Sequence, residues 1–124
     1  MKTIHIPASQ AYDVIVGRDS FRQAGKMIRE VCPKSISAVI VTDDQVADLY
    51  EPKLAIALRN AGLHVESVIF PHGEEHKTVE VWHRVLEEIC AARLTRTDVL
   101  VALGGGVTGD LGGFAAATYQ RGID

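Results

Sequence analysis

Short uninterrupted apolar runs alternate along the chain with longer stretches in which apolar residues recur every three or four positions. Thr3 to Ile6 and Tyr12 to Val16 are β-rich runs separated by Pro7-Ala8-Ser9-Gln10, and Gly17 closes the second, so the pattern predicts an opening β-hairpin. Asp19 or Ser20 is placed to cap a helix running to about Val31, with Phe21, Ala24, Ile28 and Val31 on its apolar face and Pro33 ending it. Ser37 to Val41 reads as an apolar strand. Val46 to Ala61 has helical periodicity, with Leu54, Ala57, Leu58 and Ala61 inward and Gly62 as the stop. Pro52 either kinks that helix or opens a second one after a short turn from Val46 to Tyr50. Val65 to Phe70 is the next strand and Lys77 to Arg93 a helix buried along Trp82, Val85, Leu86 and Ile89. Asp98 to Leu103 is a third buried strand, and Val107 to Arg121 a final helix.

Strands that are apolar throughout and separated by helices imply a parallel sheet covered on both faces. The expected fold is therefore α/β, a Rossmann-like parallel sheet with helices on both faces and an N-terminal β-hairpin. A length of 124 residues suits one domain with one modest core, and no internal repeat or low-complexity linker divides it.

Composition narrows the function classes. Thirteen Lys and Arg against sixteen Asp and Glu leave a formal charge of -3, which disfavours a nucleic-acid binder. Cys32 and Cys90 have no paired spacing and fit reduced thiols, both expected in the core, in a cytoplasmic protein. The N-terminus lacks a signal-peptide layout, and no apolar run approaches membrane-spanning length.

The chemistry is expected where the strands end. In open parallel sheets, ligands bind beyond the carboxyl ends of the strands, where the strand-to-helix turns gather. The three central strands are followed by Thr42-Asp43-Asp44, by Pro71-His72-Gly73-Glu74-Glu75-His76-Lys77, and by Gly104-Gly105-Gly106-Val107-Thr108-Gly109-Asp110. The glycine run lies between a strand and a helix, so backbone N–H groups can approach a diphosphate with no Cβ in the way. Its alternative is a tight strand-to-helix junction with no ligand. It fits G-x-G-x-x-G at Gly104, Gly106 and Gly109, yet it follows a late strand, and residues 1–124 stop before the position roughly twenty residues on where the acidic ribose partner is expected. It is not the ordinary dinucleotide fingerprint, and Asp110 stands where a P-loop requires Lys. Asp110 either complements the helix dipole or accepts a hydrogen bond from a cofactor. The small residues Gly112, Gly113, Ala115, Ala116 and Ala117 point to close packing. Glu74 and Lys77 form either a solvated i,i+3 ion pair or a ribose and phosphate contact. Asp43 is either a turn cap or a further ligand, and Arg121 either a surface charge or an anion binder.

His72-Gly73-Glu74-Glu75-His76 also matches H-x-x-E-H, a zinc-peptidase pattern that needs both histidines on one helical face. Pro71 and Gly73 argue against that helix, and no third ligand is evident. His5, His64 and His83 have no metal-ligand spacing.

Asp98 to Leu111, then Gly113-Phe114-Ala115-Ala116-Ala117-Thr118-Tyr119-Gln120-Arg121-Gly122, and Gly73-Glu74 with Lys77, together resemble the 3-dehydroquinate synthase family. The resemblance runs over the whole chain. It implies a shikimate-pathway lyase that uses tightly held NAD and a divalent metal, zinc or cobalt, to convert a phosphorylated seven-carbon sugar acid to 3-dehydroquinate and phosphate. It implies cofactor contacts from Asp43, Gly73, Glu74, Lys77, Gly105, Gly106, Val107, Thr108 and Asp110, and a substrate-phosphate contact from Arg121. Thr108 replaces an aliphatic residue common in the family, and Gly112 lies at a variable position. On this expectation residues 1–124 are an N-terminal NAD-binding domain with no catalytic residue or metal ligand of its own, since the family's metal ligands belong to a helical C-terminal domain. A homodimer is implied. A related sugar-phosphate cyclase, a glycerol-dehydrogenase-like enzyme and a free-standing nucleotide-binding module are the alternatives.

Overall fold

The computed structural model describes residues 1–124. Strands β1 (Lys2–Ile6) and β2 (Tyr12–Val16) pair antiparallel as an isolated hairpin. Helix α1 (Ser20–Val31) then leads into a parallel sheet of β3 (Ser37–Asp43), β4 (His64–Phe70) and β5 (Val99–Leu103), in the spatial order β4-β3-β5. Between them run α2 (Asp44–Asn60) and α3 (Val79–Ala91), and α4 (Gly106–Thr118) follows β5. The α/β class, the parallel sheet and the hairpin are as the periodicity predicts. Boundaries move by one to three residues, mostly at caps.

The central strand shows why helices cover both faces. Side chains alternate along a strand, so Ala38 and Ile40 point one way and Val39 and Val41 the other, and all four are buried. Ala38 and Ile40 pack with Leu54, Ala55 and Leu58 of α2, flanked by Phe21, Ala24 and Ile28 of α1. Val39 and Val41 pack with Val85 and Ile89 of α3 and with Leu111 and Ala115 of α4. Gly112 lets α4 lie directly on β5, since a Cβ there would sit 3.0 Å from that of Ala102.

Several local expectations are corrected. Asp19 adopts a left-handed conformation (φ 53) and makes no capping hydrogen bond, so α1 starts without a side-chain cap. Val31, expected on the apolar face of α1, is 78% exposed at the end of that helix. Pro52 does not open a second helix: α2 runs continuously through it. A proline inside a helix costs about 3 kcal/mol; Leu54, Ala55 and Leu58 are all buried, and the leucines alone contribute about 1.5–3 kcal/mol each. Burial therefore wins. Ala57 and Ala61 are half-buried rather than core. Only β3 is buried throughout; β4 and β5, each with one neighbour, keep exposed positions such as Ile69 and Ala102. Cys32 is buried, but Cys90 lies on the solvent face of α3.

The amino ends of β3 and β5 are locked by Asp98, which is 4% exposed. Its Oδ1 accepts from the N–H groups of Ile36 and Ser37, both at 3.0 Å, and its Oδ2 from Thr95 N–H at 2.9 Å and Thr95 Oγ1 at 3.1 Å. Burial pushes this carboxyl up, but the N–H groups of Thr95, Ser37 and Ile36 outweigh it, and its pKa falls below the ordinary value. Asp98→Ala should destabilise the chain by about 3 kcal/mol in urea unfolding, because buried N–H groups lose their acceptor. The charge contribution is present above the unfolded carboxyl's pKa and is lost as pH falls through the lower folded value. Asp98→Asn should therefore flatten the acid limb of the stability profile.

Candidate functional site

Register brings the three strand ends level. Asp43 pairs with Phe70 and Thr42 with Leu103, so the segments beginning at Asp44, Pro71 and Gly104 leave the sheet on one edge. Helices α2 and α4 depart to opposite faces, which makes the ends of β3 and β5 a topological switch point. Thr42, fully buried between these strands, ties them there by donating from Oγ1 to the Leu103 carbonyl at 2.8 Å.

Three helices begin on this edge, and their first turns differ. In α2, Asp43 Oδ1 accepts from Gln45 N–H at 2.9 Å and Val46 N–H at 2.8 Å. In α3, Thr78 Oγ1 accepts from Val81 N–H at 3.2 Å. The cap position of α4 is Gly105, which has no side chain to offer. The first intrahelical bond there is Gly109 N–H to the Gly105 carbonyl at 3.0 Å, leaving the N–H groups of Gly106, Val107 and Thr108 without a helical carbonyl. This is the one uncapped helix head of the three.

Space above that head is free. A Cβ built on Gly105 or Gly106 meets nothing within 4 Å, whereas one on Gly104 would lie 2.6 Å from Thr108 Oγ1. Gly104 thus shapes the turn (φ 154), while Gly105 and Gly106 leave room for a bound group. Thr108 is buried beneath the turn against Gly104, so it supports the loop with its side chain and has only its backbone to offer a ligand. Val107 is half-buried in the same turn.

The loop after β4 crosses the end of β3 to reach this turn. Lys77 Nζ donates to Asp110 Oδ2 at 2.6 Å and stands 3.7 Å from Glu74 Oε1. The bond to Asp110 first, and then the charges of Asp110 and Glu74, hold the Lys77 ammonium above its ordinary pKa. The expected i,i+3 pair of Glu74 and Lys77 is present, but the shorter contact is to Asp110 across the fold. Gly73, at φ 107, turns the chain into the short 3-10 helix Glu74–His76. Lys77 and Asp110 also flank a shallow pocket of about 220 Å³ floored by Trp82, Leu111 and Phe114.

Asp43, Gly73, Glu74, Lys77, Gly105, Gly106, Val107, Thr108 and Asp110 therefore gather on one edge. Arg121 does not join them. It sits past the far end of α4, about 20 Å from the glycine turn at 1.5 Å per residue, exposed and in a left-handed conformation (φ 63) beside Gln120 (φ 49). The H-x-x-E-H pattern fails its own geometric requirement, because His72 precedes the short 3-10 helix and shares no helical face with His76. No three His, Cys, Asp or Glu side chains converge. Sequence reading missed Thr42 and the pair of Asp44 with His72, whose contacts join segments distant along the chain.

Comparison with known proteins follows the same edge. The family model described as 3-dehydroquinate synthase N-terminal matches residues 67–124. A curated 3-dehydroquinate synthase from Streptococcus pneumoniae (strain Hungary19A-6) is 45% identical over 113 residues, covering 90% of this chain and 31% of that protein. The chain thus spans less than a third of the curated relatives it matches. A crystal structure of 2-deoxy-scyllo-inosose synthase superimposes with a TM-score of 0.88 at 26% identity, over 98% of this chain and 34% of that one. Another structure of 2-deoxy-scyllo-inosose synthase, complexed with carbaglucose-6-phosphate, NAD+ and Co2+, gives 0.85 at 25% identity, over 98% and 33%.

The two kinds of glycine in the turn should separate on substitution. Gly104→Ala forces a Cβ against Thr108 and should cost about 1–3 kcal/mol in chemical denaturation. Gly106→Ala, in the first turn of α4 with open space around it, should leave stability unchanged or raise it by up to about 1 kcal/mol.

Proposed function

We propose that the chain belongs to the 3-dehydroquinate synthase family and is the NAD-binding domain by which such an enzyme holds its dinucleotide. The observation that carries this reading is the uncapped head of α4, open above Gly105 and Gly106 and flanked by Lys77 and Asp110. The N–H groups of Gly106, Val107 and Thr108 donate to diphosphate oxygens, and the dipole of α4 favours their negative charge. Lys77 neutralises phosphate. Asp43 uses only Oδ1 as a cap, so Oδ2 is free to accept from a ribose hydroxyl, as is the exposed Glu74 carboxylate. Asp110 holds Lys77 until ligand arrives and then accepts a hydrogen bond from the cofactor.

Bound at this edge, NAD would supply a reversible hydride acceptor for a substrate hydroxyl. Residues 1–124 do the holding: they fix the dinucleotide by its phosphates and riboses at the switch point between β3 and β5. They bring no three metal-ligating side chains together, so no step is assigned to a metal held by this chain. The proposed whole enzyme is a cytoplasmic homodimeric lyase that forms 3-dehydroquinate and phosphate. A second domain carries its catalytic groups and its zinc or cobalt, and Arg121 serves the substrate phosphate away from the nucleotide edge. A cyclase acting on another sugar phosphate is the second reading, favoured by the close fold of the scyllo-inosose synthases.

NAD at 100 times its dissociation constant should stabilise the chain by about 2.7 kcal/mol, read as a rise in thermal midpoint, and Gly105→Val should remove the rise by filling the cradle. An unchanged midpoint at millimolar NAD would count against the assignment. The chain alone should release no phosphate from the phosphorylated seven-carbon sugar acid, with or without added zinc; turnover would disprove the division of labour.

A further inference from the structure

The loop from Pro71 to Lys77 is tied to the rest of the edge by side chains at two points. At its far end Lys77 reaches Asp110 on α4. Its near end rests on Asp44, the first residue of α2: Asp44 Oδ1 accepts from His72 N–H at 3.1 Å and lies 2.6 Å from His72 Nδ1. Inside the loop, His76 Nδ1 is 2.9 Å from the His72 carbonyl, and the N–H groups of His76 and Lys77 donate to the Gly73 and Glu74 carbonyls, each at 3.0 Å. A displacement at His72 is therefore passed to Glu74 and Lys77 through a hydrogen-bonded turn. The far anchor is the very lysine that a phosphate would draw away from Asp110. Once it has moved, His72 is the remaining side-chain tie.

We propose that His72 and Asp44 form a proton-dependent clamp that positions the loop bearing Glu74 and Lys77 over the glycine turn, so that dinucleotide affinity falls as His72 loses its proton. The inference rests on the nucleotide-binding reading of that edge and assigns His72 and Asp44 as positioning residues, not ligands. Asp44 holds the His72 ring directly, and the other charges that act on it are also acidic: Asp43 from the junction of β3 and α2, and Glu75 from the loop itself. The Asp44 hydrogen bond first, and then these charges, raise the His72 pKa, and the same bond lowers that of Asp44. The charged pair persists between those two displaced values. As pH rises through the raised His72 value the ion pair becomes a neutral hydrogen bond and the clamp weakens.

Histidine titration of the full chain by NMR should give His72 a midpoint above the ordinary imidazole value, and Asp44→Asn should bring it down. NAD affinity should fall ~two- to fivefold across the His72 midpoint, the scale of one exposed ion pair. Asp44→Asn and His72→Gln should each flatten that step, while His76→Gln, whose amide can still donate to the His72 carbonyl, should keep it. An unshifted His72 in the parent chain, or a step that survives both clamp variants, would overturn the proposal. Should NAD fail to bind at any pH, the nucleotide reading falls, and the clamp is judged by amide exchange. Protection of the His76 and Lys77 N–H groups, corrected for intrinsic rate, must drop through the His72 midpoint in the parent and not in Asp44→Asn. Equal protection in both sinks it.

Discussion

The parallel pairing of β3 with both of its neighbours governs everything at the functional edge. Because β3 runs in the same direction as β4 and β5, with Asp43 opposite Phe70 and Thr42 opposite Leu103, three chain segments emerge side by side. A slip of one residue on either side would turn every side chain of that strand to the opposite face, exposing Val68 and Phe70 or Val99. Hydrophobic burial therefore sets the register, and the register sets the site. Asp98 reinforces the alignment from the other end of the sheet by holding the start of β5 against the approach to β3.

Unequal capping then singles out one helix. Asp43 and Thr78 satisfy first-turn N–H groups of α2 and α3, whereas α4 begins on glycine. Unpartnered N–H groups at a helix head are tolerable in water, and an anion of the right shape satisfies them better. The same glycines that forgo a cap keep the approach clear. Gly104 and Gly112 serve a different end: one fits the turn over Thr108, the other lets α4 rest on β5. A run of like residues thus splits into members that a side chain would disrupt and members with open space around them.

Lys77 and Asp110 connect the two halves of the edge across β3. Their contact is short but solvent-exposed, so it contributes little to stability and is easily exchanged for a phosphate contact. The acidic surroundings of the loop, from Asp43, Asp44, Glu74, Glu75 and Asp110, keep its lysine charged and surround its first histidine with carboxylates.

Local pattern was enough for the order of elements, the parallel sheet, the glycine turn at the end of β5 and most of the residues gathered around it. Apolar periodicity and turn chemistry are short-range, and the edge rule for parallel sheets converts them into a location. The resemblance to the dehydroquinate synthases rested on the same contiguous blocks. Other features depend on neighbours distant along the chain. Pro52 is carried within α2 by the burial of Leu54, Ala55 and Leu58 against the sheet, and Cys90 faces solvent because of which helix lies on which face. Lys77 prefers Asp110, 33 positions away, to Glu74, and His72 finds Asp44, 28 positions back, because the loop crosses the end of β3. Arg121 stands apart because α4 carries it the length of a helix from the turn. The sequence by itself determined which polar and glycine-rich segments end the strands and open the helices; tertiary packing decided which of their side chains meet, since contacts across strands follow from register and helix placement rather than from spacing along the chain.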